Sequence, residues 1–444
     1  MSMASFLFAF NDSGGNVPPQ LAIARRLVKR GHRVRVVTET SSPAFEASLA
    51  GAGCVVVPCQ PPVEEVALPP MRGLSFGWSP LILGMDGIAH RRHARAPRWA
   101  SYIFQELRRE PADLVIADDM LPGALVGAEA ATVPAVSLIH TIYMRPAPGA
   151  PPYPSDFMPA RGLIGRLRDA LFARAVARVF RRDALPLLNV ARRSLGLPPL
   201  QEFQEQYDRA ARVLVMTSPF FDFPAGSLPA NVRYVGMPFD DLDPLPTWDA
   251  PWPPDDARPL VVVSLSITRD QGKDQAEPLQ RAMDALADLS VRGLVTLGST
   301  VSSAGFSIPA NVVVEPYVPH PAVLPHTSVL VTHAGHSGVM AALAHGIPMV
   351  CLPGDRRAPN SFRAKDQPAI TARVVASGAG LRVAPDATSG QIRSAAKRVL
   401  AEESFRAAAR RLGARIVAER GADRAVAEIE SLIPSRVSTL VSAR

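Results

Sequence analysis

At 444 residues, 47% of them apolar and 20% charged, the chain has material for two domains of ordinary size, each with its own core. Its net charge of +8 suits an anionic ligand, but the excess is mostly arginine scattered over helical stretches and aromatics are only 6%, which argues against single-strand stacking platforms and nucleic acid as a partner. Cys54, Cys59 and Cys351 make an odd number without zinc-like spacing, and Met1 to Phe10 carries no basic region and only a short apolar run, so the expectation is a reducing, cytoplasmic location.

In chain order, Phe6 to Phe10 reads as a strand and Asn11 to Asn16 as a Gly-containing loop. A helix follows from Pro18 to Lys29 with proline in its first turn, stopped at Gly31, and then a second strand from Arg33 to Val37. This is a Rossmann-like opening. Val55 to Pro58, Leu114 to Ala117, Ala135 to His140 and Val213 to Thr217 are further short, apolar strands of the kind a parallel sheet buries. Residues 60–105 and 143–205, rich in Pro, Met, Phe and Trp, read as irregular or helical insertions. Between Arg161 and Leu195, nine Arg and two Asp alternate with Leu163, Ile164, Leu167, Leu171, Phe172, Val176, Val179 and Phe180. That spacing predicts a solvated helix whose apolar stripe faces its own domain, with contact to an anionic lipid surface as the alternative.

Residues 236–259, dense in Pro and Asp, predict an extended linker that divides a first domain, 1–235, from a second, 260–444, which includes the C-terminal helices. Alternation then resumes with Leu260 to Leu265, a helix over Glu277 to Leu289, Gly293 to Leu297 and Val312 to Glu315. The most informative stretch is Val329 to Pro353. There an apolar run ends at His333, small residues turn through Gly335 and Gly338, an Ala/Leu-rich helix runs to Gly346, and a second apolar run starts after Pro348. A helix that opens after glycines offers free N–H groups and a positive dipole end to a diphosphate. The fold class expected is α/β, with two Rossmann-like domains facing each other across a cleft.

The chain resembles the nucleotide-sugar-dependent glycosyltransferases of the two-domain GT-B type, in the family that decorates natural products and small lipophilic molecules. The residues that carry the resemblance are Gly14 to Pro19, Val263 to Ser266, Tyr317 to His320, the block from His333 to Pro353, and Asp366-Gln367. The resemblance implies a donor site in which His333, Gly335, Ser337, Gly338 and Val339 hold the diphosphate. Ser266, Tyr317, Val318 and His320 would serve the nucleotide, and Asp366 and Gln367 the transferred sugar. His336 reads equally as a donor contact or a loop residue. Members that use uridine donors often carry Glu eight residues after the loop histidine to hold the ribose hydroxyls. Ala341 stands there, which favours a deoxyribose, dTDP-linked donor over UDP. The segment 355–365 separates Asp366 from the preceding strand, so Asp355 is the alternative sugar-facing carboxylate.

Inverting transfer needs a base for the acceptor proton. Most relatives carry a histidine in the first Gly loop, oriented by an aspartate. Here the loop position is Asn16, which has no useful basicity, and Asp118 matches the aspartate. Asp12, in the same loop, is the first candidate for base and Asp118 the second, with Asn16 restricted to hydrogen bonding. Phe76, Trp78, Met85, His140 and Met144 are candidates for an apolar acceptor pocket, although His140 reads more readily as a buried histidine satisfied by local partners.

The function expected is inverting transfer of a sugar from a dTDP- or UDP-sugar to a hydroxyl of an apolar, natural-product-like acceptor, giving an O-glycoside. The nucleotide-sugar is a co-substrate, and no cofactor or metal is expected. The alternatives are a nucleotide-sugar epimerase or hydrolase of the same fold, and a catalytically inactive nucleotide-binding partner of another transferase.

Overall fold

A computed structural model describes residues 3–12, 14–39, 42–59, 88–240, 246–265, 276–298, 302–354 and 366–433. Phe76, Trp78, Met85, Ser266 and Asp355 lie outside the described residues, as do residues 241–245 of the linker.

Two parallel sheets carry the fold. The first contains β1 (Ser5–Ala9), β2 (Arg33–Thr38), β3 (Val55–Pro58), β4 (Leu114–Asp118), β5 (Ala135–Ile139), β6 (Arg212–Val215) and β7 (Val232–Tyr234), in the order β3-β2-β1-β4-β5-β6-β7. The second contains β8 (Leu260–Ser264), β9 (Arg292–Thr296), β10 (Val312–Glu315), β11 (Thr327–Thr332), β12 (Met349–Cys351) and β13 (Gly380–Arg382), in the order β10-β9-β8-β11-β12-β13. Each sheet is packed on both faces by apolar clusters, which is why central strands such as β4 and β5 are buried at every residue. The three-residue strands β7 and β13 were not expected, being too short for a periodic signal.

The order reverses beside the first strand of each sheet, so β1 lies between β2 and β4, and β8 between β9 and β11. In open α/β sheets the loops diverge at that point and leave a crevice at the carboxyl ends of the strands. Both Gly loops identified in the sequence lie there, one after β1 and the other after β11.

The two halves are tied together firmly. The last described helix, Gly421–Glu430, returns to the first half. Its Ala425, Val426 and Ile429 join the cluster of Phe6, Phe8 and Ile23, and Arg30 and Arg26 pair with Glu430 and Asp423 at 2.7 and 3.1 Å. The C-terminal helices expected to belong with 260–444 are therefore shared between the two cores. In the other direction Ile142, Phe221 and Met237 enter the second core. A buried ion pair also crosses over, Arg373 Nε donating to Asp222 Oδ1 at 2.7 Å, with the same carboxylate accepting from the Tyr143 amide and the Tyr234 hydroxyl.

The Arg-rich stretch forms the helix Gly162–Asp183. Its apolar stripe departs from expectation. Phe172 and Val179 are buried against the first domain, whereas Leu163, Ile164, Leu167 and Leu171 stand out into solvent. Among the described residues no helix is long and apolar enough to cross a membrane. All three cysteines are free thiols, and burial pushes each above its ordinary value.

Candidate active site

A cavity of about 1360 Å³ opens between the carboxyl ends of the two sheets. Its second-domain wall is built on β11. Thr332 ends that strand beside Ser264 of β8, and the ring of His333 donates to the Ser264 carbonyl. Burial lowers the His333 pKa to about 4, with nearby His320 adding to the effect against that hydrogen bond, so the ring is neutral at physiological pH. Ala334 turns the chain with φ at 66°, a conformation unusual for a residue with a Cβ, and its amide is held by Thr332 Oγ1. Gly335 is required for close approach, because a Cβ there would stand 2.4 Å from His333 Nε2.

The helix His336–Ala344 starts from Gly335 with no side-chain cap, which leaves the amides of its first turn to the cavity. Gly335, Ser337 and Gly338 line the cavity, with His333 beside them. Val339 does not. Its amide makes the first intrahelical bond, to the Gly335 carbonyl at 3.0 Å, and its side chain is fully buried, so it serves the core rather than a phosphate. Tyr317, Val318 and His320 lie on the same wall, and Tyr317 is 75% exposed, leaving an aromatic face open rather than packed beneath its loop. Asp366 and Gln367 also line the cavity, and Gln367 Oε1 accepts from the Gly354 amide, fixing the turn after β12. Ala341 is on the wall as well.

His336 proves to be an interdomain residue. It is buried, its Nε2 lies 2.8 Å from Thr217 Oγ1 at the end of β6, and its ring meets the edge of Phe221. Burial, reinforced by His140 and Arg373, lowers its pKa to about 3.

The first-domain wall starts from the loop after β1. Gly14, Gly15 and Asn16 line the cavity, whereas Asp12 is not among the lining residues and accepts a hydrogen bond from Ser42 Oγ at 2.8 Å. The residue favoured from sequence as base is thus turned toward the start of the helix Pro43–Gly51 rather than toward an acceptor. Asp118, at the end of β4, is buried and lines the cavity. It accepts from Gln20 Nε2 at 2.8 Å and from the Met120 amide at 2.9 Å, and its Oδ1 is 3.4 Å from His140 Nδ1. Burial would raise its pKa, but the charge and hydrogen bond of His140, with the two amides, hold it below the usual carboxylate range. Gln20 also donates to the Asn16 carbonyl at 3.1 Å, joining the Gly loop to Asp118.

His140 lies just beyond β5, which pairs with β4 through Asp118 and Leu138. Its Nδ1 is 3.3 Å from Asp119 Oδ1 as well as close to Asp118. Burial disfavours the charged ring, yet the two carboxylates overcome this and raise its pKa well above the ordinary histidine value. Met144, Leu121 and Phe180 add an apolar surface beside His140 in the same cavity. Sequence reading missed Gln20 and the interdomain role of His336, and it placed His140 and Asp118 in separate tasks. The available signal was that β4 and β5, if adjacent, would end side by side in Asp118-Asp119 and His140.

Asp118, Asp119 and His140 also form the one group of metal-ligand type among the described residues, with ligand atoms within 4.8 Å of one another.

Two facing Rossmann-like domains, with the uncapped helix start after β11 on one wall of the cavity and His140 with apolar neighbours on the other, define a GT-B architecture. Residues 280–432 match the family described as erythromycin biosynthesis protein CIII-like, C-terminal domain, and residues 14–185 match a glycosyl transferase 4-like domain. The chain is 30% identical to 4'-demethylrebeccamycin synthase of Lentzea aerocolonigenes over 97% of its own length and 100% of the relative's. Among solved structures, the glycotransferase of kitacinnamycin superposes with a TM-score of 0.70 at 22% identity, covering 97% of this chain and 99% of that one. The glycosyltransferase VinC in complex with dTDP gives 0.64 at 19% identity, covering 96% and 99%. The chain belongs to the natural-product glycosyltransferase family and is a glycosyltransferase of GT-B fold.

Proposed function

We propose that the protein transfers a sugar from a nucleoside diphosphate donor to a hydroxyl of an apolar small molecule, with inversion at the anomeric carbon. The observation that carries this reading is the cavity of about 1360 Å³ with two unlike walls. Ligand pockets for one small molecule commonly reach up to about 1,000 Å³, so this one has space for a donor and an aglycone together.

In the proposed arrangement the diphosphate lies against the amides of His336, Ser337 and Gly338, beside the His333 ring. Helix dipole and hydrogen bonds there stabilise the charge that grows as the diphosphate leaves. Tyr317 offers its face to the base, with Val318 and His320 alongside. Asp366 and Gln367 are at the same wall for the sugar hydroxyls. Ala341 cannot accept from ribose hydroxyls, which supports dTDP-sugars ahead of UDP-sugars. The acceptor occupies the side of Met144, Leu121 and Phe180, and its oxygen attacks the anomeric carbon opposite the departing nucleotide. No metal is assigned a part in these steps.

The test is to incubate the purified protein with dTDP- and UDP-sugars and a panel of apolar phenols and alcohols, and to identify products by mass and anomeric configuration. An O-glycoside of inverted configuration is expected. Nucleotide-sugar consumption without any acceptor would favour the epimerase or hydrolase reading. Asn16 at the loop position supports one competing reading, a nucleotide-binding partner without activity of its own, and that protein would bind dTDP or UDP and make no product.

A further inference from the structure

We propose that the general base has moved from the first Gly loop to the end of β5, and that His140, oriented by Asp118 and Asp119, takes the proton of the acceptor hydroxyl. The inference rests on the transfer reading above.

Asn16 faces the cavity but cannot accept a proton at useful pH. Asp12 is bonded to Ser42 and is not on the cavity lining. Asp118 also lines the cavity, but its Oδ2 accepts from Gln20 and its Oδ1 from the Met120 amide with His140 nearby, and a carboxylate stabilised in this way is a poor base for a hydroxyl proton. That leaves His140. Its Nδ1 is buried 3.4 Å from Asp118 Oδ1 and 3.3 Å from Asp119 Oδ1, ion-pair contacts without hydrogen-bond geometry, and the residue itself lines the cavity, so Nε2 is the ring nitrogen assigned to meet the acceptor. A carboxylate on Nδ1 and a free Nε2 is the arrangement that fixes a histidine's tautomer and stabilises the imidazolium it becomes. The neighbours hold this arrangement in place. Gln20 fixes Asp118, and Tyr207 donates its hydroxyl to the Asp119 carbonyl at 2.7 Å.

The step balances without a further reactant. The acceptor O–H proton passes to Nε2, the oxygen forms its bond to the anomeric carbon, and the bond from that carbon to the diphosphate breaks, the electron pair leaving with the nucleotide. The imidazolium then returns its proton to solvent.

His140→Gln keeps polarity and approximate size but removes the base. It should lower kcat at least 100-fold and leave the dTDP dissociation constant within about twofold, which also reports that the variant is folded. Asp118→Asn acts through His140, so it should both lower kcat and move the acid limb of the kcat–pH profile toward lower pH, a change that a merely structural role would not produce. Introducing Asn16→His into His140→Gln should recover at least tenfold of the lost rate by restoring a loop base. The proposal is overturned if His140→Gln transfers sugar within threefold of the unchanged protein, if Asp118→Asn leaves the acid limb in place, or if chelation abolishes activity and a divalent ion restores it, making the cluster a metal site. The transfer reading itself fails, and this inference with it, if the unchanged protein makes no glycoside while binding dTDP.

Discussion

Ser337 Oγ, on the second domain, donates to the carbonyl of Gly15, on the first, at 2.6 Å. The two Gly loops, one from each switch point, therefore touch at the place proposed for the diphosphate. A hydroxyl so placed can serve the loop contact or a phosphate oxygen. Ser337→Ala is expected to weaken dTDP binding by about tenfold or more, the value of one hydrogen bond to a charged group, with little loss of thermal stability. Titration calorimetry and a melting curve on the same preparation separate the two effects.

The buried pair of Arg373 and Asp222 also joins the two halves. Removing one member leaves the other charge buried. Arg373→Ala should lower the unfolding free energy by about 3–5 kcal/mol, measured by urea titration, whereas an exposed pair such as Arg398 with Glu402 should contribute less than about 1 kcal/mol.

Two opposing pH effects follow from the histidines. His140 faces Asp118 and Asp119 from the end of β4 and neutral His336 from the second domain, and its folded pKa is raised. Activity that needs the neutral ring should rise with pH beyond neutrality rather than level off near 6.5. The stability from this ring runs the other way, being present in full below its unfolded pKa and lost as pH rises through the folded value. A kcat–pH profile with melting temperatures over the same range checks both signs.

His336 behaves oppositely, because its folded pKa is lowered to about 3. As pH falls below about 6.5 the unfolded chain binds a proton that the folded one refuses. Stability should then decline by up to about 1.4 kcal/mol per pH unit from this group alone. His336→Gln should flatten the acid side of the melting profile. An unchanged slope would mean that His336 does not remain neutral in the folded chain.

Asp12 was the leading base on sequence grounds and is bonded to Ser42. Asp12→Asn should change kcat by less than about threefold, since a carboxylate off the cavity lining has no reach to the acceptor. A fall as large as that expected for His140→Gln would return the role to Asp12.

Much of the fold was legible because fully buried parallel strands leave apolar runs, and the runs from Leu114 and Val329 do so clearly. The loop from His333 to Gly338 was legible for a local reason: a glycine turn, a histidine and a helix start are consecutive in the chain. Val339 was misplaced because sequence spacing cannot tell the last free amide from the first bonded one. The association of His140 with Asp118 and Asp119 depends on β5 lying beside β4, a long-range pairing that local patterns leave open. The return of Gly421–Glu430 to the first domain, and the outward turn of Leu163 and Ile164, likewise depend on which surfaces the rest of the chain leaves uncovered.

The central claim is that the β11 loop holds a nucleoside diphosphate. It is tested most directly by metal-free calorimetric titration of dTDP and of UDP into the unchanged protein and His333→Ala. Both nucleotides should bind, dTDP the tighter, and the variant should show at least a tenfold weaker dTDP constant. Failure of the folded, unchanged protein to bind either nucleotide, or equal binding by His333→Ala, would contradict it.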